Sequence, residues 1–567
     1  MIRCLRAARS GETTIGLRRR RLKVTKPVTV LAVAGMAALS GGPAMAATLN
    51  PPLIFPAVQV STDLSPSRAY NEPNMLVDPK DPHILVIAGA NYNAGTCVVF
   101  VSRDTGRTWS QSKAIARPSQ YTTCVRADLG PYLGAAFGAD GTLYIASAAD
   151  SLGGQQDAND LYLARSTDLG DTWQFTIIHK GEVEHQFPTL TGTTHVDGEH
   201  YSLVQIATDP SNPGYVYVGA RYGNANRTAP FGLFGQVPLR SVVAVSSDGG
   251  KTFTQPMDIM SAVPSTDIYG DFIPTLAVGA TGTVYAFTRE QVAPLAQGAP
   301  AATATSPPGT PGDGPRQLVS VSTDHGKTWT LDTVDSSAVH CPACTQNDEP
   351  SGAVSAKGSI YETWAQSSPE AGSPTNILFT SSTDGGKTWV PAMTLNDDKS
   401  AMDHAAPGIS VAPNGRIDVA WLDFRPTLAF NPDATRANEQ YWNVYYTYST
   451  DGGHTWAKNM AVDDRPMDKN AGYTENSSYG LQAHAALMST DDVTYFALSD
   501  SRAGTTTSPV EDYYFTTAVH RTTSSSRTTT TWQGIVLGIA IGVVAAGLLF
   551  LVIGLPLTRR RSVAKSE

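Results

Sequence analysis

The sequence predicts an all-β protein, a β-propeller of seven blades with six as the alternative, followed by one C-terminal transmembrane helix. Three observations carry this reading. An eight-residue motif recurs six times, seven pairs of short strands lie around its copies, and one long uncharged segment stands near the C-terminus.

The motif is Ser-x-Asp-x-Gly-x-Thr-Trp, first at Ser102–Trp109. It returns at Ser166–Trp173, Ser246–Phe253, Ser322–Trp329, Ser382–Trp389 and Ser449–Trp456. Copies stand roughly 60 to 80 residues apart, one supersecondary unit plus variable loops. Ser and Asp side chains bond nearby amides in turns, Gly supplies a positive φ, and the aromatic ring starts the next strand. The motif therefore reads as a hairpin turn, and Asp104, Asp168, Asp248, Asp324, Asp384 and Asp451 as structural residues.

The strand pairs alternate or are apolar over five to seven residues, as strands do. The tightest pairs run from Asp128 to Tyr144, Asp271 to Tyr285 and Glu349 to Tyr361, each turning at a Gly, and Asp403 to Val419 varies the pattern. Looser pairs begin at Glu72 and near Tyr201. A seventh runs from His484 to Leu498 and continues into a strand at Asp512–Val519, without a motif of its own. Leu53–Val60 then supplies the strand that closes the last blade, which removes a free sheet edge.

The ends predict export and anchoring. Residues 1–46 read as a signal peptide: Arg18–Arg21, Lys23 and Lys26, an apolar run Val28–Leu39, then Ala44-Met45-Ala46. The propeller occupies 47–520, and 521–531 is a Ser/Thr-rich stalk. Residues 532–557 are long and apolar enough to cross a bilayer. Arg559–Arg561 in the tail 558–567 sets the inside by charge. The expected location is the cell membrane, single-pass, with the propeller extracytoplasmic.

The chain carries a net charge of −9. Both ends are basic, so the central region is more acidic still. That argues against nucleic acid or anionic lipid as a partner. Cys4 leaves with the leader, and an even set remains, which in an exported chain favours disulfides. The blade assignment pairs Cys97 with Cys124 and Cys341 with Cys344; a metal or redox site at the Cys-x-x-Cys is the open alternative. No cofactor or metal is expected, and the oligomeric state is not legible.

With six such motifs the chain resembles the sialidase-like, or BNR/Asp-box, β-propellers over most of its length. The resemblance implies an active face opposite the Asp-box turns, where inner strands begin and second strands end. It implies an arginine cluster for a substrate carboxylate, a Tyr activated by a Glu as nucleophile, and an Asp as general acid/base. Arg221, Arg289, Arg425 and Arg502 supply the first, Tyr222 the second, and Asp271 or Glu72 the last. Asp423/Arg425 and Asp500/Arg502 are spaced i, i+2 and can equally pair with each other. The family's Arg-Ile-Pro signature is absent; the stretch reads Arg68-Ala69-Tyr70-Asn71-Glu72-Pro73. The expected function is hydrolysis of terminal sialic acid or related acidic glycans. The alternative is a non-catalytic propeller that binds glycan or protein.

Overall fold

The computed structural model describes residues 50–520 except 63–67, 92–93, 116, 118–120, 122–123, 125–132, 150–158, 189–193, 225–239, 262–273, 291–315, 336–349, 368–372, 436–437 and 473–484. All described residues belong to the unit Thr48–Glu567.

Seven antiparallel sheets form a closed ring of blades. From the inside out, blade one is Tyr70–Val77, Leu85–Asn91, Thr96–Ser102 and Lys113–Ala114. Blade two is Gly134–Phe137, Leu143–Ala149, Asp160–Ser166 and Gln174–His179. Blade three is Thr194–Thr208, Val216–Asn224, Arg240–Ser246 and Met257–Asp258; Val183–Pro188 pairs with the first part of its inner strand. Blade four is Thr275–Val278, Val284–Glu290, Arg316–Ser322 and Thr330–Asp335. Blade five is Ser351–Val354, Ile360–Ser367, Thr375–Ser382 and Met393–Thr394. Blade six is His404–Val411, Ile417–Asp423, Tyr441–Ser449 and Met460–Ala461, with Met467–Asp468 also on the third strand. Blade seven is Ala486–Ser489, Val493–Asp500 and Asp512–Val519, finished by the N-terminal strands Leu53–Ile54 and Val58–Gln59. Leu53 pairs with Val519 and Val58 with Phe515, so the expected closure is observed.

The core lies between blades, because both faces of most sheets are covered. Alternate residues of one strand serve different interfaces. In Val284–Glu290, Tyr285 and Phe287 pack with Ile360 of blade five, whereas Val284 and Ala286 pack with Tyr217 and Val243 of blade three.

Three inner strands share a bulge. Two residues oppose one between Asn71 and Asn74, between Ser202 and Gln205, and between Ala405 and Gly408. Glu72, Leu203 and Ala406 occupy it with φ of 51°, 53° and 52°. The left-handed conformation costs a non-glycine residue roughly 1–2 kcal/mol. The bulged stretches of blades one, three and six border a central cavity of about 220 Å³, lined among others by Glu72, Asn74, Gln205 and Gly408.

The expected fold class needs one correction. No helix among the described residues is long and apolar enough to cross a membrane; the described helix is the short Thr427–Phe430. The described residues form the all-β seven-bladed propeller, and the expected transmembrane helix has no counterpart among them. The segments expected as leader, stalk, span 532–557 and tail lie outside the described residues.

Candidate functional site

The six motif turns repeat one set of contacts. In the first, Ser102 Oγ donates to Asp104 Oδ1 at 2.9 Å and accepts from Gly106 N at 2.8 Å. Thr108 N donates to Asp104 Oδ1 at 2.9 Å and Thr108 Oγ1 to Asp104 Oδ2 at 2.7 Å. The same four bonds recur at Asp168, Asp248, Asp324, Asp384 and Asp451. Hydrogen bonds from Thr172, Thr328 and Thr388 hold the carboxyls of Asp168, Asp324 and Asp384 down at about 2. These carboxylates are spent on their own turns.

The opposite face is fixed by register. Box residue Ser246 pairs with Val216, while Tyr222 pairs with Arg240 at the far end of the same ladder. Tyr222 therefore ends its strand away from the box turns. Its Oη donates to Glu199 Oε1 at 2.8 Å. Glu199 Oε2 lies 3.0 Å from His179 Nε2, and accepts from Glu182 N at 3.2 Å. Burial pushes the Glu199 carboxyl up, but the bonds from His179 and Tyr222 outweigh it and hold the group below its ordinary value. The result is a tyrosine hydroxyl set against an ionised carboxylate. Beside it, Arg221 is buried, and its Nε donates to Ser202 Oγ at 2.8 Å.

Arg289 is buried at the matching end of blade four's second strand, opposite Gln317. Glu72 borders the central cavity, and its amide donates to Asn71 Oδ1 at 2.8 Å. Asp271 lies outside the described residues, as do Cys341 and Cys344. Cys97 and Cys124 are joined by a disulfide. Arg68, where the family signature would begin, bonds Asp512 through Nε at 2.8 Å.

Arg425 and Arg502 are held in a shared arrangement. Arg425 Nε donates to both oxygens of Asp423 at 2.9 Å, Nη1 reaches Asp397 at 3.0 Å and Nη2 reaches Asp398 at 3.2 Å. Its Cζ sits 4.2 Å from the Tyr445 ring centroid. Arg502 bonds Asp500 through Nε at 2.7 Å, meets Asp463 through Nη2 and Asp464 through Nη1 at 3.4 Å, and lies 4.2 Å over Tyr514. In both, the acids come from the strand the arginine follows and from the loop after the preceding blade's outer strand. Each guanidinium thus faces three carboxylates already. Asp398, His404 and Asp423 bring ligand atoms within 4.8 Å of one another. Arg425 Nη2 lies 2.7 Å from Asp423 there, so a guanidinium supplies the positive charge.

Residues 320–331 match the BNR/Asp-box repeat. The match falls on blade four's third strand and turn, and the contact set it describes recurs in five further turns. The chain is a seven-bladed β-propeller with Asp-box turns. No curated protein matches this Asp-box propeller by sequence. Among solved structures, a Hadza microbial sialidase is 14% identical over 74% of this chain and 72% of its own, with a TM-score of 0.40. A protein of unknown function from Dyadobacter fermentans is 12% identical over 83% and 99%, with a TM-score of 0.41. An α-L-arabinanase of Penicillium chrysogenum is 13% identical over 82% and 99%, with a TM-score of 0.39. Likenesses of this size carry no argument about chemistry, and the site rests on its own geometry.

Proposed function

We propose that this Asp-box propeller is an exported glycoside hydrolase acting on terminal sialic acid or related acidic glycans. The observation that carries the reading is the bond between Tyr222 Oη and Glu199 Oε1 at 2.8 Å, on the face opposite the box turns. A neutral phenol is a weak nucleophile, and a carboxylate within hydrogen-bond reach can take its proton as attack begins. Tyr222 would attack the anomeric carbon, Glu199 would accept the proton, and an acid, Asp271 or Glu72, would protonate the departing oxygen. Water would then release the sugar from the tyrosine. Arg221 and Arg289 are assigned to the substrate carboxylate. The Cys97–Cys124 disulfide suits an oxidising compartment outside the cytoplasm.

The test is turnover of an α-linked sialoside bearing a reporter group. Tyr222→Phe and Glu199→Gln should each lower kcat/KM by about 100-fold or more while leaving the melting temperature near that of the parent. A parent protein that releases no sugar from any sialoside sinks the reading. A second reading, a glycan-binding propeller without turnover, draws support from Arg425 and Arg502, whose charge is already balanced by carboxylates. Binding of sialosides with no cleavage would select it.

A further inference from the structure

A carboxyl group with no part in this chemistry lies between blades four and five. Glu362 is fully buried in the second strand of blade five. Neither of its oxygens accepts a hydrogen bond. Alternation places it on the face of Ile360, which packs with Phe287 and Val319 of blade four. Its cross-strand partner is Gly352. The Phe287 ring fills the space beside that glycine, since a Cβ there would fall 2.0 Å from Phe287 Cδ2. On the side of that glycine the carboxyl is therefore walled by an aromatic ring.

Two further oxygen-bearing groups belong to this interface. Gln317 is 1% exposed and stands on the same strand face as Val319 and Val321, toward blade five. Its Oε1 has no hydrogen-bond partner. Asp335 pairs with Gln317 across blade four's outer ladder. Burial pushes the Glu362 carboxyl well above its ordinary value, and the charge of Asp335 pushes it further in the same direction. A lone buried carboxylate costs several kcal/mol. A proton on Glu362 removes its charge and supplies one O–H donor, which a single acceptor such as Gln317 Oε1 can take. A cation can instead be shared by several oxygens of the interface.

We infer that the interface of blades four and five is a binding site for a hard divalent cation of the Ca²⁺ class, held by the oxygens of Glu362, Asp335 and Gln317. Hard cations take carboxylate and amide oxygens, and two carboxylates balance a charge of two. The site would pin the two blades together and is separate from the Tyr222–Glu199 pair, so it stands whether or not that pair is catalytic.

The experiment uses the whole protein, stripped with EGTA and dialysed. Ca²⁺ added at micromolar to millimolar concentration should raise the melting temperature by several degrees, and metal analysis should find about one equivalent retained per chain. Glu362→Gln should abolish the rise. Gln317→Met, which keeps both acids, should shift the half-point to higher Ca²⁺, and serves if Glu362→Gln does not fold. Mg²⁺ and Na⁺ arms define the class. The inference is overturned if no cation moves the melting temperature of the parent. It is equally overturned if the rise survives intact in Glu362→Gln and Gln317→Met.

Discussion

Tyr513 occupies the space above Gly89 so closely that a Cβ on the glycine would lie 1.8 Å from Tyr513 Oη. That hydroxyl donates to Asn71 O at 2.6 Å. Tyr513 belongs to the last blade, Gly89 and Asn71 to the first. The contact therefore sits at the seam where the ring closes. Gly89→Ala should expel the ring, break the buried bond and destabilise the protein by roughly 2–4 kcal/mol. Chemical denaturation followed by tryptophan fluorescence would measure it. A loss below the noise of that measurement would mean the seam is slack.

In the box turns the serine should matter more than its exposure to view suggests. Ser322 is 1% exposed, and its Oγ accepts from Gly326 N at 2.8 Å. Ser322→Ala leaves a buried amide without a partner, at a cost of roughly 1–3 kcal/mol. Because the turn lies on the face away from Tyr222, kcat/KM of the folded variant should not move. A kinetic defect without a drop in stability would contradict the structural reading of the box.

Arg425→Ala should act on folding. It leaves Asp423, which is fully buried, together with Asp398 and Asp397, without their shared cation. Breaking a buried ion pair from one side costs roughly 3–5 kcal/mol, and a lysine cannot restore the paired contacts of the guanidinium. Urea unfolding of Arg425→Ala and Arg425→Lys should show both destabilised. If both keep parental stability while activity falls tenfold or more, Arg425 is a substrate-binding group instead.

The same cluster predicts a pH dependence. Burial opposes charge on His404, but the Asp398 hydrogen bond and the Asp423 carboxylate outweigh it, and the group's pKa is raised above 6.5. A raised folded-state value contributes stability that is complete below the unfolded value and is lost as pH rises through the folded one. Melting temperature should therefore fall as pH is taken from 6 upward through that range, beyond any trend shared by His404→Gln. Parallel pH profiles for the two proteins would remove this histidine from the account.

Much of the fold was legible because propeller strands are local. Hairpin turns, glycines and alternating runs mark each blade within a few dozen residues, and the six boxes punctuate them. Even the closure by Leu53–Val60 followed from a seventh pair lacking an outer strand. The site was legible by face and residue type and not by partner. Tyr222 stood out, but Glu199, 23 residues away, reads as one polar position in a long strand. His179 comes from another blade. Asp423 and Asp500 were visible beside their arginines. The remaining acids, Asp397, Asp398, Asp463 and Asp464, arrive from loops whose placement depends on how blades pack. Glu362 was illegible for the same reason: nothing in Ile360–Ser367 announces which neighbour its alternate residues face.

The pairing of Leu53 with Val519 makes the first strand of the ring wait for the last. Blades one to six can assemble as the chain emerges, each from contiguous sequence. Blade seven cannot be completed until nearly the whole propeller has been made, because its outer strands and its inner three lie at opposite ends of the sequence. Until then Asp512–Val519 has an open edge, and the segment that will cover it has been present from the start with nothing to pair with. The slowest event in forming this molecule is expected to be that final ring closure, a long-range contact whose entropic cost is met late.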